Sequence, residues 1–141
     1  DMTSSLVGSE MCIRDRQDTA AHFARGELYV VREGNMIAGT FVLVPCEPAY
    51  DRIEGAWLQS GRYVALHRVA VSPDFRRRGV ASAIFCAACA HARAVGAKSV
   101  RVDTHAGNVP MRSALEANEF THCGTVVIAT GETRVAYEKE I

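Results

Sequence analysis

The stretch LHRVAVSPDFRRRGVAS, from Leu66 to Ser82, decides the fold of this 141-residue chain. It begins as an apolar strand, breaks at Pro73, passes through three arginines and enters an alanine-rich helix at Gly79. A strand that leads through a glycine-containing loop into a helix presents unpaired backbone N–H groups and the positive end of the helix dipole to an anion. The stretch therefore predicts a phosphate site, and with it a nucleotide-type cofactor.

Hydrophobic periodicity on either side of this stretch predicts further strands and helices. Apolar residues on both faces of 62–71 indicate a central strand covered on two sides, and the run over 79–95 indicates a long helix. The other predicted elements are a short helix over 18–26, a hairpin over 28–32 and 36–44, a loop over 49–61, a strand over 98–104, a helix over 109–118, and a closing hairpin over 121–129 and 133–138. This order predicts an α/β fold, an α+β mixed sheet with helices packed on it.

Composition and charge exclude several classes of protein. The chain is 48% hydrophobic and carries no net charge, which argues against disorder and against a nucleic-acid partner. No apolar run is long enough to span a membrane, so no membrane partner is expected. The five cysteines show no disulfide spacing, and Cys86-x-x-Cys89 lies within the predicted helix without a second Cys/His pair, so we expect no metal site. A reduced, cytoplasmic protein is the simplest interpretation.

The segment Leu6–Arg16, LVGSEMCIRDR, has no apolar period and resembles one translated frame of a DNA-sequencing adapter. Segments foreign to a natural chain are excluded from reasoning about its fold. We therefore predict that residues 1–16 are a non-native, disordered segment and that residues 17–141 form the domain. A disordered natural N-terminus is the alternative.

Two motifs resemble those of the GNAT superfamily of acyl-CoA-dependent N-acetyltransferases. The first is a strand with an aliphatic-x-Val step, Val69–Val71, followed by a [Q/R]-x-x-G-x-[G/A] loop, Arg76–Ala81, that opens a helix. The second is an asparagine, a short helix and a closing Gly-Phe, which here spans Asn108 to Phe120. The resemblance covers nearly all of 17–141. It implies a GNAT-like acyl-CoA N-acyltransferase fold that is N-terminally truncated, without the family's first strand and first helix.

The resemblance implies acetyl-CoA as the co-substrate. Its pyrophosphate would lie on the loop and the helix N-terminus, where a glycine lets the backbone come close and arginines add positive charge. Main-chain groups of the strand would hold the pantetheine arm like an added strand. The residues implied in cofactor binding are Val69, Val71, Arg76, Arg77, Arg78, Gly79, Val80, Ala81, Ser82 and Asn108.

His67 is the candidate catalytic base. A histidine has an unperturbed pKa of about 6.5, so it is mainly neutral at cellular pH and can take a proton from an amine. Simple strand alternation predicts His67 on the same side as Val69 and Val71, beside the thioester. The alternative is a core histidine that is hydrogen-bonded to the backbone.

Other positions depart from the family pattern or suggest a structural contact. Leu115 stands where many family members have a tyrosine that protonates the leaving thiolate, so water or another side chain would have to supply that proton. Glu119 stands where glycine normally precedes phenylalanine, which would alter the turn. Arg68 is predicted to form a buried structural pair with Asp103.

The function implied is transfer of an acetyl group from acetyl-CoA to a primary amine of a small molecule or amino-acid-like acceptor, directly within a ternary complex. The alternative is a non-catalytic acyl-CoA-binding or sensor domain that kept the loop. A homodimer is compatible with either function.

Overall fold

The computed structural model describes residues 25–141, together with the backbone of Met2 and Thr3. The segment 6–16 and nearly all of the helix predicted over 18–26 lie outside the described residues, so both stay predictions. Arg25 and Gly26 form a turn that leads into the first long strand.

One mixed sheet organises the described part of the chain. Its strands are β1 (Met2–Thr3), β2 (Leu28–Glu33), β3 (Met36–Val44), β4 (Glu54–Gly55), β5 (Tyr63–Val71), β6 (Ser99–Thr104), β7 (Thr121–Val127) and β8 (Thr133–Glu140). Two α-helices, α1 (Val80–Ala94) and α2 (Val109–Ala117), and two 3₁₀ turns, Pro48–Arg52 and Pro73–Phe75, complete the described elements. The strand order is β1-β2-β3-β5-β6-β8-β7-β4, and neighbours are antiparallel except for β5 and β6. The predicted mixed α/β sheet is confirmed.

The main hydrophobic core lies between the sheet and α1. This helix buries one stripe at helical spacing, because side chains three and four positions apart share a face. On the sheet side, Val64 and Leu66 of β5 and Val100 and Val102 of β6 are 0–2% exposed. The buried stripe of α1 consists of Val80, Ile84, Phe85, Ala88, Cys89 and Ala92.

A smaller core occupies the opposite face of the sheet. Tyr50, Ala65, Val126 and Ala136 are buried there. The segment 45–62, which we call the crossing loop, covers this face between β3 and β5. We therefore distinguish a helix side and a loop side of the sheet.

The crossing loop is attached to the sheet edge at β4. Glu54 and Gly55 pair with Thr125 and Gly124 of β7. A Cβ atom on Gly124 would lie 2.1 Å from the carbonyl oxygen of Glu54, and one on Gly55 would lie 2.2 Å from that of Cys123. Both glycines also have positive φ angles, 132° at Gly55 and 153° at Gly124. Only glycine fits this close backbone contact.

A β-bulge interrupts β5 at Arg68. Val42 of β3 is opposite His67 and Thr40 is opposite Ala70, so β5 carries one extra residue, and Arg68 has a φ of 54°. The bulge reverses the alternation of side chains beyond it. Val69 and Val71 therefore pack on the helix-side core. The prediction that they share a side with His67 is wrong, because alternation does not continue through a bulge.

The bulge also separates β5 from β6. The parallel pairing runs from Tyr63 with Ser99 to Leu66 with Val102 and ends there, although β5 continues to Val71. A cavity of about 190 Å³ opens in the resulting cleft. Its lining includes Leu66, Val69, Val102, Thr104, Asn108 and Met111.

Helix α2 ends in a Schellman motif with Glu119 in the left-handed position. The N–H of Phe120 donates to the carbonyl of Leu115, and the N–H of Glu119 donates to that of Glu116. Glu119 has a φ of 68°, and Leu115 and Phe120 both lie in the core. The turn thus forms with glutamate at the position that favours glycine.

Replacing Glu119 by glycine should stabilise the fold. The left-handed conformation costs an L-residue about 1–2 kcal/mol, while glycine loses about 0.5–1 kcal/mol of backbone entropy. We expect Glu119→Gly to raise the free energy of unfolding by about 0.5–1 kcal/mol in urea denaturation. Ser113→Gly, at an exposed position within α2, should instead lower it by about 0.5 kcal/mol. An equal decrease in the free energy of unfolding in the two variants would contradict the assignment of backbone strain to Glu119.

Candidate active site

The loop before α1 forms an open cradle of backbone N–H groups. Gly79 is the N-cap residue of α1, has a φ of 79° and makes no side-chain cap hydrogen bond. The first N–H groups of a helix have no acceptor within it, so those of Val80, Ala81 and Ser82 are available to an anion. A Cβ atom on Gly79 would meet no other atom within 4 Å, which leaves space above the helix end for a ligand.

The three arginines of this loop are exposed around the cradle. Arg77 adopts a left-handed conformation with a φ of 63°, and the guanidinium of Arg78 lies 5.0 Å from the ring centre of the buried Phe75. Phe75 therefore anchors the loop while the positive charges remain in solvent. This arrangement suits contacts with phosphate groups.

Asn108 has a structural role in addition to its predicted one. It is the N-cap residue of α2, where its side-chain oxygen accepts a hydrogen bond from the N–H of Met111 at 3.2 Å. It also lines the cleft between β5 and β6. The start of α1 and the end of α2 are joined by a hydrogen bond from Asn118 to the hydroxyl of Ser82.

His67 lies on the loop side of the sheet, between two carboxylates. Its Nε2 atom is buried and lies 3.2 Å from Oε1 of Glu47, although this contact falls short of hydrogen-bond alignment. Its Nδ1 atom lies 3.9 Å from Oδ1 of Asp103 on β6. The His67 side chain is 20% exposed. Catalytic contacts in unliganded sites are often loosely aligned, so this geometry suits a residue that handles a proton.

Asp103 is held by two further residues. The hydroxyl of Tyr50, in the crossing loop, donates to Oδ1 at 2.5 Å, and a guanidinium nitrogen of Arg134 on β8 lies 3.6 Å from Oδ2. Burial and the negative charge of Asp103 raise the pKa of Tyr50, so the phenol stays protonated and remains a donor. The predicted buried pair between Arg68 and Asp103 is wrong, because the bulge leaves Arg68 exposed.

A buried ion pair fixes the crossing loop beside this site. Glu138 of β8, 0% exposed, contacts Nε of Arg101 at 2.9 Å and also accepts hydrogen bonds from Ser99, Gln59 and the N–H of Leu58. Burial alone would raise the pKa of Glu138, but these donors together lower it below the ordinary value. The pair therefore stays ionised in the fold.

Arg101 also lines a second cavity. Its guanidinium lies 4.3 Å from the ring centre of Trp57 and 4.2 Å from that of Tyr63. The cavity has a volume of about 560 Å³, and its other walls include Tyr50, Ile53, Leu58 and Ser60. The aromatic residues of the crossing loop thus both pack on the sheet and line a pocket.

The position where the family often has a tyrosine is fully buried in the core. Leu115 is 0% exposed and has no proton to give. In residues 25–141 no group of three or more His, Cys, Asp or Glu side chains could hold a metal ion. No helix of the described residues is both long and apolar enough to cross a membrane.

The sequence singled out His67 and the loop before α1 as candidates, but it did not predict Glu47, Tyr50 and Asp103 as neighbours of His67. Glu47 precedes a proline and caps the 3₁₀ turn, with Oε2 accepting from the N–H of Ala49 at 3.2 Å. That local capping pattern was the only sequence signal for Glu47. The contacts of Tyr50 and Asp103 depend on how the crossing loop docks.

Comparisons with known proteins agree with this geometry. The family model described as acetyltransferase (GNAT) family matches residues 5–120, a range that begins within the segment predicted to be foreign. The division of the chain at residue 16 stays a prediction. No curated protein sequence matches the chain.

Solved structures share the fold. A GNAT-family acetyltransferase from Streptococcus agalactiae has 32% sequence identity and a TM-score of 0.78, with 92% of this chain and 73% of that one covered. A putative acetyltransferase from Staphylococcus aureus has 23% identity and a TM-score of 0.69, covering 91% and 81%. An acetyltransferase from Bacillus subtilis, solved in complex with CoA, has 16% identity and a TM-score of 0.69, covering 92% and 86%. The chain belongs to the GNAT acetyltransferase family.

Proposed function

We propose that the protein is an N-acetyltransferase that moves an acetyl group from acetyl-CoA to a primary amine of a small molecule or amino-acid-like acceptor. The observation that carries this proposal is that His67 lies at the point where β5 leaves β6. Strand β5 thus carries His67, a candidate proton acceptor, on the loop side of the sheet and borders the cleft. The same strand leads through the arginine loop to the cradle at the start of α1.

The residues present fit acetyl-CoA. The N–H groups at the start of α1 and the exposed arginines suit a pyrophosphate, and the cleft beyond Leu66 suits an extended arm that pairs with β5 as a strand would. The side chains of Val69 and Val71 pack against the helix-side core, so their main-chain groups are the ones that would pair with the arm. The related Bacillus subtilis acetyltransferase was solved with CoA bound, which supports the same ligand here.

The reaction needs a neutral amine. An alkylamine has a pKa of about 10.4, so less than about one molecule in a thousand is deprotonated at pH 7. His67 takes a proton from the ammonium nitrogen, whose lone pair then attacks the thioester carbonyl carbon. The C–S bond breaks, the nitrogen loses its second proton and the leaving sulfur gains one, so that one proton remains on His67 and passes to solvent. Holding the amine and the thioester in one site supplies much of the rate acceleration.

Replacing His67 should separate proton transfer from cofactor binding. We expect His67→Ala to keep the affinity for acetyl-CoA within about twofold but to lower kcat/KM at neutral pH by about 10²–10⁴-fold. The loss should diminish above pH 9, where more of the amine is already neutral. The assay follows free thiol release with a panel of amines. An unchanged pH–rate profile would show that His67 is not the base.

A non-catalytic CoA sensor is the second candidate, favoured by the buried Leu115 at the usual tyrosine position. Calorimetric binding of CoA without thiol release for any amine would favour the sensor. Turnover with any primary amine would exclude it.

A further inference from the structure

The cavity beneath the crossing loop contains one side-chain nitrogen for which the fold supplies no partner. Arg101 is only 5% exposed. Its Nε donates to Glu138 at 2.9 Å, and its Nη2 donates to the carbonyl of Gln59 at 2.7 Å. Among residues 25–141, Nη1 of Arg101 has no hydrogen-bond partner, and it is not fully buried. In a residue so nearly buried, the cavity that Arg101 lines is the opening beside Nη1.

Two aromatic rings restrict how a ligand can approach Nη1. The guanidinium carbon of Arg101 lies 4.3 Å from the ring centre of Trp57 and 4.2 Å from that of Tyr63. Rings at these distances stack on the faces of a guanidinium and leave its N–H edge for hydrogen bonds. A partner of Nη1 therefore approaches in the guanidinium plane, as a carboxylate oxygen does. The same contacts fix Arg101 before a ligand arrives, which lowers the entropy cost of binding.

We propose that this cavity binds a small ligand with one carboxylate and an apolar or aromatic body, and that Nη1 of Arg101 donates to the carboxylate. The cavity volume of about 560 Å³ falls in the range of about 300–1,000 Å³ that is typical of small-molecule sites. Ile53, Trp57 and Leu58 in its lining offer apolar surface to the body. None of the described residues that line it also lines the cleft cavity, and the inference does not depend on the proposed function.

The charges around the cavity suit a single carboxylate. Glu138 lies at Nε of Arg101, and its own charge is shared among four hydrogen-bond donors. Asp51 also lines the cavity, but it is exposed, so water and salt weaken its repulsion. Hydrogen bonds between two charged groups are roughly twice as strong as neutral ones. A carboxylate therefore gains more at Nη1 than the carbonyl of an amide does.

The fluorescence of Trp57 measures binding directly. Trp57 is the only tryptophan of the chain and lines the cavity. Phenylacetate, phenylacetamide and phenethylamine share a benzyl body and differ in the head group. We expect a saturable change with phenylacetate, a Kd about tenfold or more above it for phenylacetamide, and no saturation with phenethylamine over the same range. An equal or lower Kd for the amide or the amine, or no saturable change with phenylacetate, would overturn the proposal.

Ser60 provides a matched test of charge, because it lines the cavity and is exposed. Ser60→Asp adds a negative charge and should raise the Kd of phenylacetate about tenfold or more, whereas Ser60→Asn, of equal size, should change it by less than about threefold. Asp51→Asn removes a negative charge from the same lining and should lower that Kd. Equal Kd values for Ser60→Asp and Ser60→Asn would contradict an anion in this cavity.

Arg101→Lys separates the guanidinium edge from the positive charge. Lysine keeps a charge opposite Glu138 but lacks the planar fork that presents Nη1. In the folded variant, checked by circular dichroism, we expect the preference for phenylacetate over phenylacetamide to fall to about twofold or less. An unchanged preference would overturn the role of Nη1. If the variant does not fold, the Ser60 pair decides the proposal, and none of these binding measurements requires that any amine be acetylated.

Discussion

Gly79→Glu should reduce the affinity for CoA at least 100-fold while leaving the chain folded. The new carboxylate would stand at the N-terminus of α1, where the proposed pyrophosphate accepts backbone N–H bonds. Two like charges about 4 Å apart near a protein surface repel by roughly 4 kcal/mol, which corresponds to nearly a thousandfold in Kd. A Cβ atom at residue 79 meets no other atom within 4 Å and the position is exposed, so the expected structural cost comes mainly from the left-handed backbone.

Two variants separate charge from backbone strain in calorimetric titration with CoA. Gly79→Ala imposes the same positive φ without a charge and should weaken binding far less. Ala90→Glu adds the same charge at an exposed position near the other end of α1 and should bind like the wild type. Equal losses for Gly79→Ala and Gly79→Glu would show that conformation, not phosphate repulsion, dominates.

Glu138→Gln should lower the free energy of unfolding by about 3 kcal/mol. Removing one partner of a buried ion pair leaves the other charge uncompensated, at a cost of about 3–5 kcal/mol. The rings of Trp57 and Tyr63 on Arg101 offset part of that cost. For a chain of this size the melting temperature should fall by roughly 10 °C, measured by circular dichroism.

The pH dependence of this loss follows from the ionisation of Glu138. Its pKa is lower in the fold than the ordinary value of 4.5, so its contribution is complete above that value and is lost as pH falls through the folded pKa. The difference in stability between wild type and Glu138→Gln should therefore be constant at neutral pH and shrink in acid. Glu140→Gln, exposed on the same strand, should change stability by less than about 0.5 kcal/mol at any pH.

A double variant checks that the uncompensated arginine causes the loss. Arg101→Met combined with Glu138→Gln should be more stable than Glu138→Gln alone, because no buried charge remains. A double variant less stable than either single variant would show that packing around these side chains matters more than their charges.

The fold was predictable where the signals are local. The strand over 36–44 was predicted with its observed bounds, and the helices begin or end within one residue of the predicted positions. Apolar periodicity, glycine and proline specify such elements within a short window. The strand, loop and helix that contain residues 66–82 were predictable for the same reason, since they are contiguous in the chain.

The surroundings of His67 were less predictable because they depend on long-range pairing. Nothing in the residue type of Arg68 indicates a bulge, which arises from how β5 pairs with β3. Without the bulge, the alternation of side chains along β5 would place His67 and Val69 on the same side of the sheet. Nothing local in the sequence would then indicate that β5 and β6 separate after Leu66. Glu47 and Asp103 are far apart in sequence, and both lie beside His67 because the crossing loop docks on β7 and β8.

The glycine contact between β4 and β7 limits how the proposed enzyme could change its acceptor. With Gly55 and Gly124 in backbone contact, no side chain can enter at that seam without moving the loop away from the sheet. Natural or laboratory selection for a new amine therefore has to keep both glycines. It has freedom instead at the cavity-lining positions on either side of β4, such as Ile53, Leu58 and Ser60, where a change of side chain alters the pocket but not the attachment. A mutant library built on those three positions should keep far more folded members than one that includes the glycines.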